Sequence, residues 1–220
     1  MKTQKSILIT AAIALLIAAG SARADTFYFT SDHCSGGCGT APFGSVTLTQ
    51  SGANVDVTVS LFAGYKFVRT GAGDFMNFLF DDSGISVGNI TNIVSATGQG
   101  MTATGSVIPG LFANGTGTWM WGIYCWTCGT GGTDAFAGPI TFTVTSTTLA
   151  QMEVGHPVVG FGTELFVADV LAPNSNTGDV AVDPPPKVQT VVTVPDGGTT
   201  LMLLGTALSG LGLARRFFWR

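Results

Sequence analysis

Four cysteines lie in two close pairs, and their chemistry is the easiest in this chain to anticipate. Three residues separate Cys34 from Cys38, and two separate Cys125 from Cys128. A signal for export at the amino terminus would place them in an oxidising compartment, where thiols form disulfides. Three connectivities are possible. Local pairing is favoured because short loops close readily and Gly36-Gly37 lets the first loop bend; pairing between the two loops is the main alternative.

The same cysteines admit two other chemistries. The C-x3-C and C-x2-C spacings, together with His33, could form a tetrahedral zinc site. The segment Cys125-Trp-Thr-Cys128 has the spacing of a thioredoxin-like redox motif, but no β-α-β pattern surrounds it. Further zinc ligands do not flank either pair. The sequence therefore favours disulfides and predicts no metal ion and no cofactor.

Hydrolytic chemistry has weaker candidates. Gly84-Ile-Ser-Val-Gly88 matches the G-x-S-x-G nucleophile motif, which requires a strand-to-helix turn, whereas this segment continues as a strand pattern. The candidate bases are His33 and His156. A glycosidase would need two carboxylates, drawn from Glu153, Glu164 and the aspartates, and no spacing selects a pair. The sequence thus predicts no catalytic residue and a protein that is not an enzyme. A hydrolase stays an alternative that requires a cleft joining a histidine to a serine or a carboxylate.

Three tryptophans crowd the segment from 118 to 126. On a continuous strand one face would carry Trp119, Trp121 and Ile123, and the other Met120, Tyr124 and Trp126. Flat aromatic faces bind sugar rings, so Trp119, Trp121 and Trp126 are candidates for a glycan-binding platform. The alternative is that these rings fill the core or shield a disulfide, as buried aromatic residues usually do.

The elements that must position these residues are predicted to be strands. Residues 46–49 and 55–61 alternate between apolar and polar side chains, with a turn cluster at 50–54 between them, so they predict a hairpin. Residues 140–145 alternate in the same way. Eight to ten short strands with glycine-rich turns predict a single antiparallel β-sandwich, of jelly-roll or immunoglobulin-like type, over residues 25–172. A single short turn of helix is possible within 149–156.

Residues 173–193 differ from the predicted domain in composition. Pro173-Asn-Ser-Asn-Thr-Gly178 and Asp183-Pro-Pro-Pro-Lys187 hold few apolar residues, and the triple proline favours an extended, semi-rigid chain. The segment is therefore predicted to be a linker between the sandwich and the residues that follow it.

The amino terminus has the three parts of a secretory signal peptide. Lys2 and Lys5 precede an apolar core at 7–19, and Ala22-Arg-Ala24 is a small-x-small cleavage site. Signal peptidase would remove residues 1–24 and leave Asp25 as the first residue. The 13 acidic residues and only three basic ones then lie between 25 and 196, a net charge of −10. Such a surface repels phosphates, so nucleic acid is not an expected partner.

The last 27 residues combine a short motif, an apolar run and a basic end. Val194-Pro-Asp-Gly-Gly198 precedes 16 uncharged residues, 199–214, which as a helix would be about 24 Å long, slightly short of a bilayer core. Membrane-stop residues follow: Arg215, Arg216 and Arg220. Arginines and aromatic residues at such an end are expected on the cytoplasmic side of the membrane.

This tail resembles the PEP-CTERM sorting signal of Gram-negative bacteria. Val194, Pro195 and Asp196 match the first motif positions, and Gly197-Gly198 replaces the usual last residue, as in Val-Pro-Asp-Ser-Gly variants. The resemblance implies export through the inner membrane, transient anchoring, and cleavage of the tail by an exosortase-type enzyme. It also implies a final place at the cell surface or in the extracellular matrix, in association with exopolysaccharide and biofilm. An ordinary tail anchor and a rhombosortase signal centred on Gly197-Gly198 are the alternatives.

Overall fold

The computed structural model describes residues 23–105, 110–158, 160, 162–184 and 205. A compact unit spans Ala24–Thr190, and of the second unit, 1–23 with 191–220, only Arg23 and Gly205 are described. The predicted signal peptide before residue 23 and the tail at 194–220 therefore lie outside the described residues, apart from Gly205, which is helical. Within the described part of the chain, no helix combines the length and the apolar character needed to cross a membrane.

Seventeen strands make up almost all of the regular structure in the described residues. The first nine are β1 (Arg23–Tyr28), β2 (Ser31–Asp32), β3 (Gly44–Ser51), β4 (Asn54–Leu61), β5 (Lys66–Arg69), β6 (Phe78–Phe80), β7 (Ile90–Ser95), β8 (Met101–Gly105) and β9 (Leu111–Ala113). The others are β10 (Gly117–Trp119), β11 (Trp121–Cys125), β12 (Gly131–Phe136), β13 (Ile140–Thr145), β14 (His156–Val158), β15 (Gly162–Glu164), β16 (Phe166–Leu171) and β17 (Thr177–Ala181). A 3-10 turn at Val87–Asn89 and one helical turn, α1 (Leu149–Met152), complete the list. The all-β prediction is confirmed.

The first sheet has five strands in the order β1-β3-β4-β13-β7. The predicted hairpin is present, because β3 and β4 pair antiparallel with Val46 opposite Val59 and Leu48 opposite Val57. Strand β13 then pairs with β4, and its residues alternate strictly between buried and partly exposed. A period of two places one row of side chains in the core and the other toward water.

The second sheet has eight strands, in the order β12-β5-β16-β6-β11-β8, with β17 between β16 and β2. The inner faces of the two sheets share one apolar core. Phe142 of the first sheet lies 5.9 Å from Phe78 and 5.6 Å from Phe80 of the second, measured between ring centroids. This packing is that of a sandwich, and the jelly-roll or immunoglobulin-like type stays a prediction.

The central strands of the second sheet are also covered on their other side. Hairpin β9–β10 contributes Leu111, Ala113 and Trp119 to a second apolar cluster, which packs against Val167 of β16 and Ala181 of β17. Consequently Phe166–Val170 are all buried, and so are residues 178–181. Polar side chains at 166–170 and 178–181 are therefore enclosed whichever way they point.

The prediction that residues 173–193 form a linker is wrong for the first half of that segment. Strand β17 lies within it and pairs with β16 over five residues and with β2 over two. Few apolar residues suffice here, because a central strand satisfies its backbone on both sides and Val180 and Val182 fill the core. The folded body therefore extends beyond residue 172, at least to Val182.

Candidate functional site

Two local disulfides join the cysteines, Cys34 to Cys38 and Cys125 to Cys128, each with a Cα–Cα distance of 5.4 Å. The favoured local pairing is thus the one in the structure. Asp32 stabilises the first loop by accepting hydrogen bonds from the N–H groups of Cys34, at 2.9 Å, and Cys38, at 2.8 Å. A disulfide sulfur is not the thiolate that zinc binds, so these cysteines do not support the zinc hypothesis.

Arg69 stabilises the second disulfide loop. Its Nη1 donates to the carbonyl oxygens of Cys125, at 2.7 Å, and Cys128, at 2.9 Å, and its Nε donates to that of Phe75. The guanidinium carbon also lies 5.2 Å from the ring centroid of Tyr124. One cation therefore fixes the loop that carries Trp126.

The proposed platform of three tryptophans is wrong for two of them. Trp119 is 1 % exposed and Trp121 is 5 % exposed, whereas Trp126 is 63 % exposed. The strand pattern breaks at Met120, between β10 and β11, so Trp119 joins the outer cluster and Trp121 the core between the sheets. Their indole N–H groups are bonded internally, to Thr116 Oγ1 and to the carbonyl of Asp82. Of these three tryptophans, Trp126 alone presents its ring to solvent.

His156 lies in a cleft of about 150 Å³, whose lining includes Asp81 and Ser83. Its Nδ1 is 2.9 Å from Asp81 Oδ2, and its ring packs against that of Trp119 at a tilt of 30°, with 4.7 Å between centroids. The hydrolase hypothesis requires a cleft that joins a histidine to a carboxylate, and this cleft does so. His156 makes no hydrogen bond to a serine in the described part of the chain. Nε2 instead faces Gly117, where a Cβ would lie 3.0 Å from it.

His33 forms a second, fully buried pair with a carboxylate. Its Nε2 lies 2.7 Å from Glu164 Oε1 and 3.0 Å from Ser31 Oγ. A serine–histidine–acid relay needs the serine on one ring nitrogen and the acid on the other. Here both partners share one nitrogen, so the arrangement cannot relay a proton in that way. Ser86 of the G-x-S-x-G match is exposed and donates to Asn89 Oδ1 at 2.8 Å, just before a 3-10 turn.

Sequence reasoning missed a pair of buried aspartates. Asp169 and Asp179 are directly opposite each other on β16 and β17 and are 1 % and 0 % exposed. Burial raises the pKa of Asp169 to about 7, although hydrogen bonds from Thr70 act against it. The pKa of Asp179 is raised well above its usual range, mainly by burial, then by the charge of Asp169 and to a smaller extent by that of Glu164. The backbone N–H of Asn114 acts in the opposite direction and lowers this pKa. The available signal was a charge inside the otherwise apolar stretch Phe166–Leu171 and another directly before the apolar stretch 180–182.

Comparison with known families concerns the tail alone. The model of a family described as the VPDSG-CTERM motif matches residues 193–218. No curated protein and no solved structure matches the chain. The matched residues cover the predicted motif at 194–198 and both Arg215 and Arg216, so the chain carries a PEP-CTERM-like sorting tail. Such a tail indicates a secreted protein that is sorted to the cell envelope or surface, with a processing machinery as its partner.

Proposed function

We propose that this protein is a non-catalytic β-sandwich of the cell surface or biofilm matrix, whose tail an exosortase-type enzyme recognises and removes. The match to the sorting motif at residues 193–218 carries the proposal. On this view signal peptidase cuts after Ala24 during export through the inner membrane of a Gram-negative cell. The apolar run at 199–214 and the arginines after it then hold the chain transiently in the membrane, where the processing enzyme reads Val194-Pro-Asp-Gly-Gly198.

The geometry of the histidines supports a body without catalytic activity. At His33 the serine and the carboxylate compete for one nitrogen, and the side chain is 2 % exposed. At His156 the ring packs on a buried tryptophan, and the nitrogen that would act on a substrate faces the backbone of Gly117. A general base must reach the proton that it abstracts. His33 meets the Ser31 hydroxyl only through the nitrogen that also contacts Glu164, and His156 has no hydrogen bond to a serine or threonine among the described residues.

Mass spectrometry of the protein recovered from the surface of the expressing bacterium tests the sorting. The expected product begins at Asp25 and lacks the residues from 199 onward. Replacing Pro195 and Asp196 together by alanine should leave the tail in place, with the protein held at the inner membrane. Replacing Asp183 and Pro184, the same residue types outside the motif, should leave processing unchanged. Surface-localised protein that still ends at Arg220 would contradict the proposal.

A panel of fluorogenic esters and glycosides tests the absence of catalysis. The purified protein should give no turnover above that of a His156→Ala variant. Hydrolysis that disappears in His156→Ala, while the melting temperature is unchanged, would show that the cleft at Asp81 and His156 is an active site and would overturn this part of the proposal.

Binding of exopolysaccharide is a second candidate function, and the exposure of Trp126 favours it. The indole packs against Gly100, where an added Cβ would lie 2.7 Å from the ring. The backbone N–H of Trp126 also donates a hydrogen bond to the carbonyl oxygen of Gly100, at 2.9 Å. An exposed aromatic ring held against the backbone can stack on a sugar without losing much side-chain entropy.

A glycan array that includes bacterial exopolysaccharides tests this candidate. Trp126→Ala should weaken binding at least tenfold. Tyr28→Ala removes another exposed aromatic residue, from the first sheet, and should leave binding unchanged. Equal affinities for the wild type and Trp126→Ala would reject Trp126 as the platform.

A further inference from the structure

Asp169 and Asp179 project from facing positions of two paired strands. In an antiparallel pair, residues directly opposite each other point to the same side, with Cβ atoms about 4.5–5.5 Å apart. Here that side is closed by the Thr70–Asn77 segment: the N–H and the hydroxyl of Thr70 both donate to Oδ2 of Asp169. The two carboxyl groups therefore share one enclosed space.

Most of the oxygens in that space have no hydrogen-bond partner. Oδ1 of Asp169 and both oxygens of Asp179 are buried without one. The N–H of Asn114 lies near Asp179, but it donates to the carbonyl of Ala72, at 2.6 Å. Neither aspartate forms an ion pair with a lysine or arginine in the described part of the chain. A buried carboxylate without a partner costs several kcal/mol, so such groups are normally paired or bound to a metal ion.

A glycine leaves room for a main-chain oxygen to face the same space. An added Cβ on Gly73 would lie 3.1 Å from Asp179 Oδ1, 3.1 Å from the carbonyl oxygen of Met76 and 3.0 Å from Cβ of Asp169. A carboxylate oxygen of Asp179 and the carbonyl oxygen of Met76 thus both lie close to Gly73. A side chain at position 73 would crowd these two oxygens.

We propose that Asp169, Asp179 and the carbonyl of Met76 form the core of a calcium-binding site beneath the Thr70–Asn77 segment. The donor set consists of oxygens alone, which are the ligands of hard cations. Calcium is favoured over magnesium because it accepts an irregular set of carboxylate and carbonyl oxygens, whereas magnesium demands near-ideal octahedral geometry. A divalent cation would neutralise both carboxylates, which no side chain in the described residues does.

Calcium binding and thermal unfolding of the full-length protein in mild detergent, after treatment with EDTA, test the site. At pH 8 we expect one bound calcium ion per chain, and a melting temperature that rises by about 5 °C or more at saturating calcium. Magnesium at the same concentration should have a smaller effect. Terbium should luminesce on excitation of tryptophan, because Trp119 belongs to the cluster that packs on the adjacent Met76.

Two variants separate this site from other acidic residues. Asp179→Asn should abolish the response to calcium and the terbium signal. Asp56→Asn, which changes an exposed aspartate of the first sheet, should respond like the wild type. Should Asp179→Asn fail to fold, direct binding to the wild type still decides, with Asp169→Asn as the second variant. Absence of bound calcium in the wild type, or an undiminished response in a folded Asp179→Asn or Asp169→Asn protein, would overturn the proposal.

Discussion

The two sheets of the sandwich bury their side chains in different ways. Strand β13 of the first sheet alternates between buried and partly exposed residues, and its neighbour β4 carries the exposed Asp56. In the second sheet β16 is buried from Phe166 to Val170, because the β9–β10 hairpin covers its outer side. A sheet covered on both faces can hide charge as well as apolar surface. Asp169 and Asp179 lie in this second sheet, where a carboxylate needs a specific partner, whereas Asp56 of the first sheet is exposed to water.

The pH dependence of stability should show the difference most strongly. In metal-free protein the pKa of Asp169 rises from its ordinary 3.8 to about 7 on folding, so the folded state binds the proton more tightly. Stability should therefore fall as the pH rises from about 4 to about 7, by roughly 4 kcal/mol from Asp169 alone, and then level off. Asp179, whose pKa is also raised by burial and by the charges of Asp169 and Glu164, acts in the same direction.

Urea unfolding in EDTA across pH 4.5–8 measures this fall. Asp179→Asn should make the profile less steep, because the raised pKa of Asp179 no longer contributes and only that of Asp169, which burial raises, remains. Asp56→Asn should keep the wild-type slope. A free energy of unfolding that rises from pH 5 to pH 7 would contradict buried, uncompensated aspartates in the second sheet.

Removing a ring that joins the two sheets should have the next largest effect. Phe142→Ala deletes the side chain that contacts Phe78 and Phe80 across the sandwich. The expected loss is about 3–5 kcal/mol, since the variant loses apolar burial and leaves a cavity. Thr143→Ala, one residue along and on the other face, should cost less than about 1 kcal/mol. Similar losses in the two variants, measured by urea unfolding, would mean that β13 does not alternate as described.

Replacing the cysteines of the second loop should have a moderate effect. Cys125→Ser with Cys128→Ser opens a very small loop, so the expected loss is about 2 kcal/mol in the chain-entropy model. Arg69 continues to hold the carbonyls of residues 125 and 128, and the fold should persist by circular dichroism. A loss above about 4 kcal/mol would show that this disulfide stabilises the second sheet as a whole.

The smallest effect should come from the outer face of the first sheet. Asp56→Asn replaces an exposed carboxylate that accepts a 2.7 Å hydrogen bond from Thr143 Oγ1. The amide oxygen can accept the same bond, so the free energy of unfolding should change by no more than about 0.5 kcal/mol. A larger change in thermal or urea unfolding would mean that the charge itself matters at this surface.

The strands that could be predicted from the sequence are those with one face exposed to solvent. The β3–β4 hairpin and β13 were predicted because apolar residues recur at every second position there, and the local disulfides because short loops close readily. Strand β17 was missed since Thr177-Gly-Asp-Val-Ala181 has neither alternation nor a long apolar run. Its place in the sheet depends on β2 and β16, which lie far from one another in the sequence.

The candidate sites also differ in whether the sequence could predict them. The sorting tail is a contiguous motif, and a contiguous motif can be read from a sequence. The pairing of Asp169 with Asp179, and of His156 with Asp81, arises only when distant segments meet. The prediction of a tryptophan platform was wrong because the strand breaks at Met120, which places Trp119 and Trp121 in two different apolar clusters. Nothing in the local sequence pattern marks that break.

The pairing of β17 with β2 has a consequence for the proposed export. In that proposal Ser31 and Asp32 would cross the membrane early, yet they pair with Val180 and Ala181, which would cross only after most of the folded body. The second sheet therefore stays incomplete until nearly the whole body has been translocated, and such long-range pairings form slowly. A tail that delays release would give this late strand time to close the sheet before the protein leaves the cell.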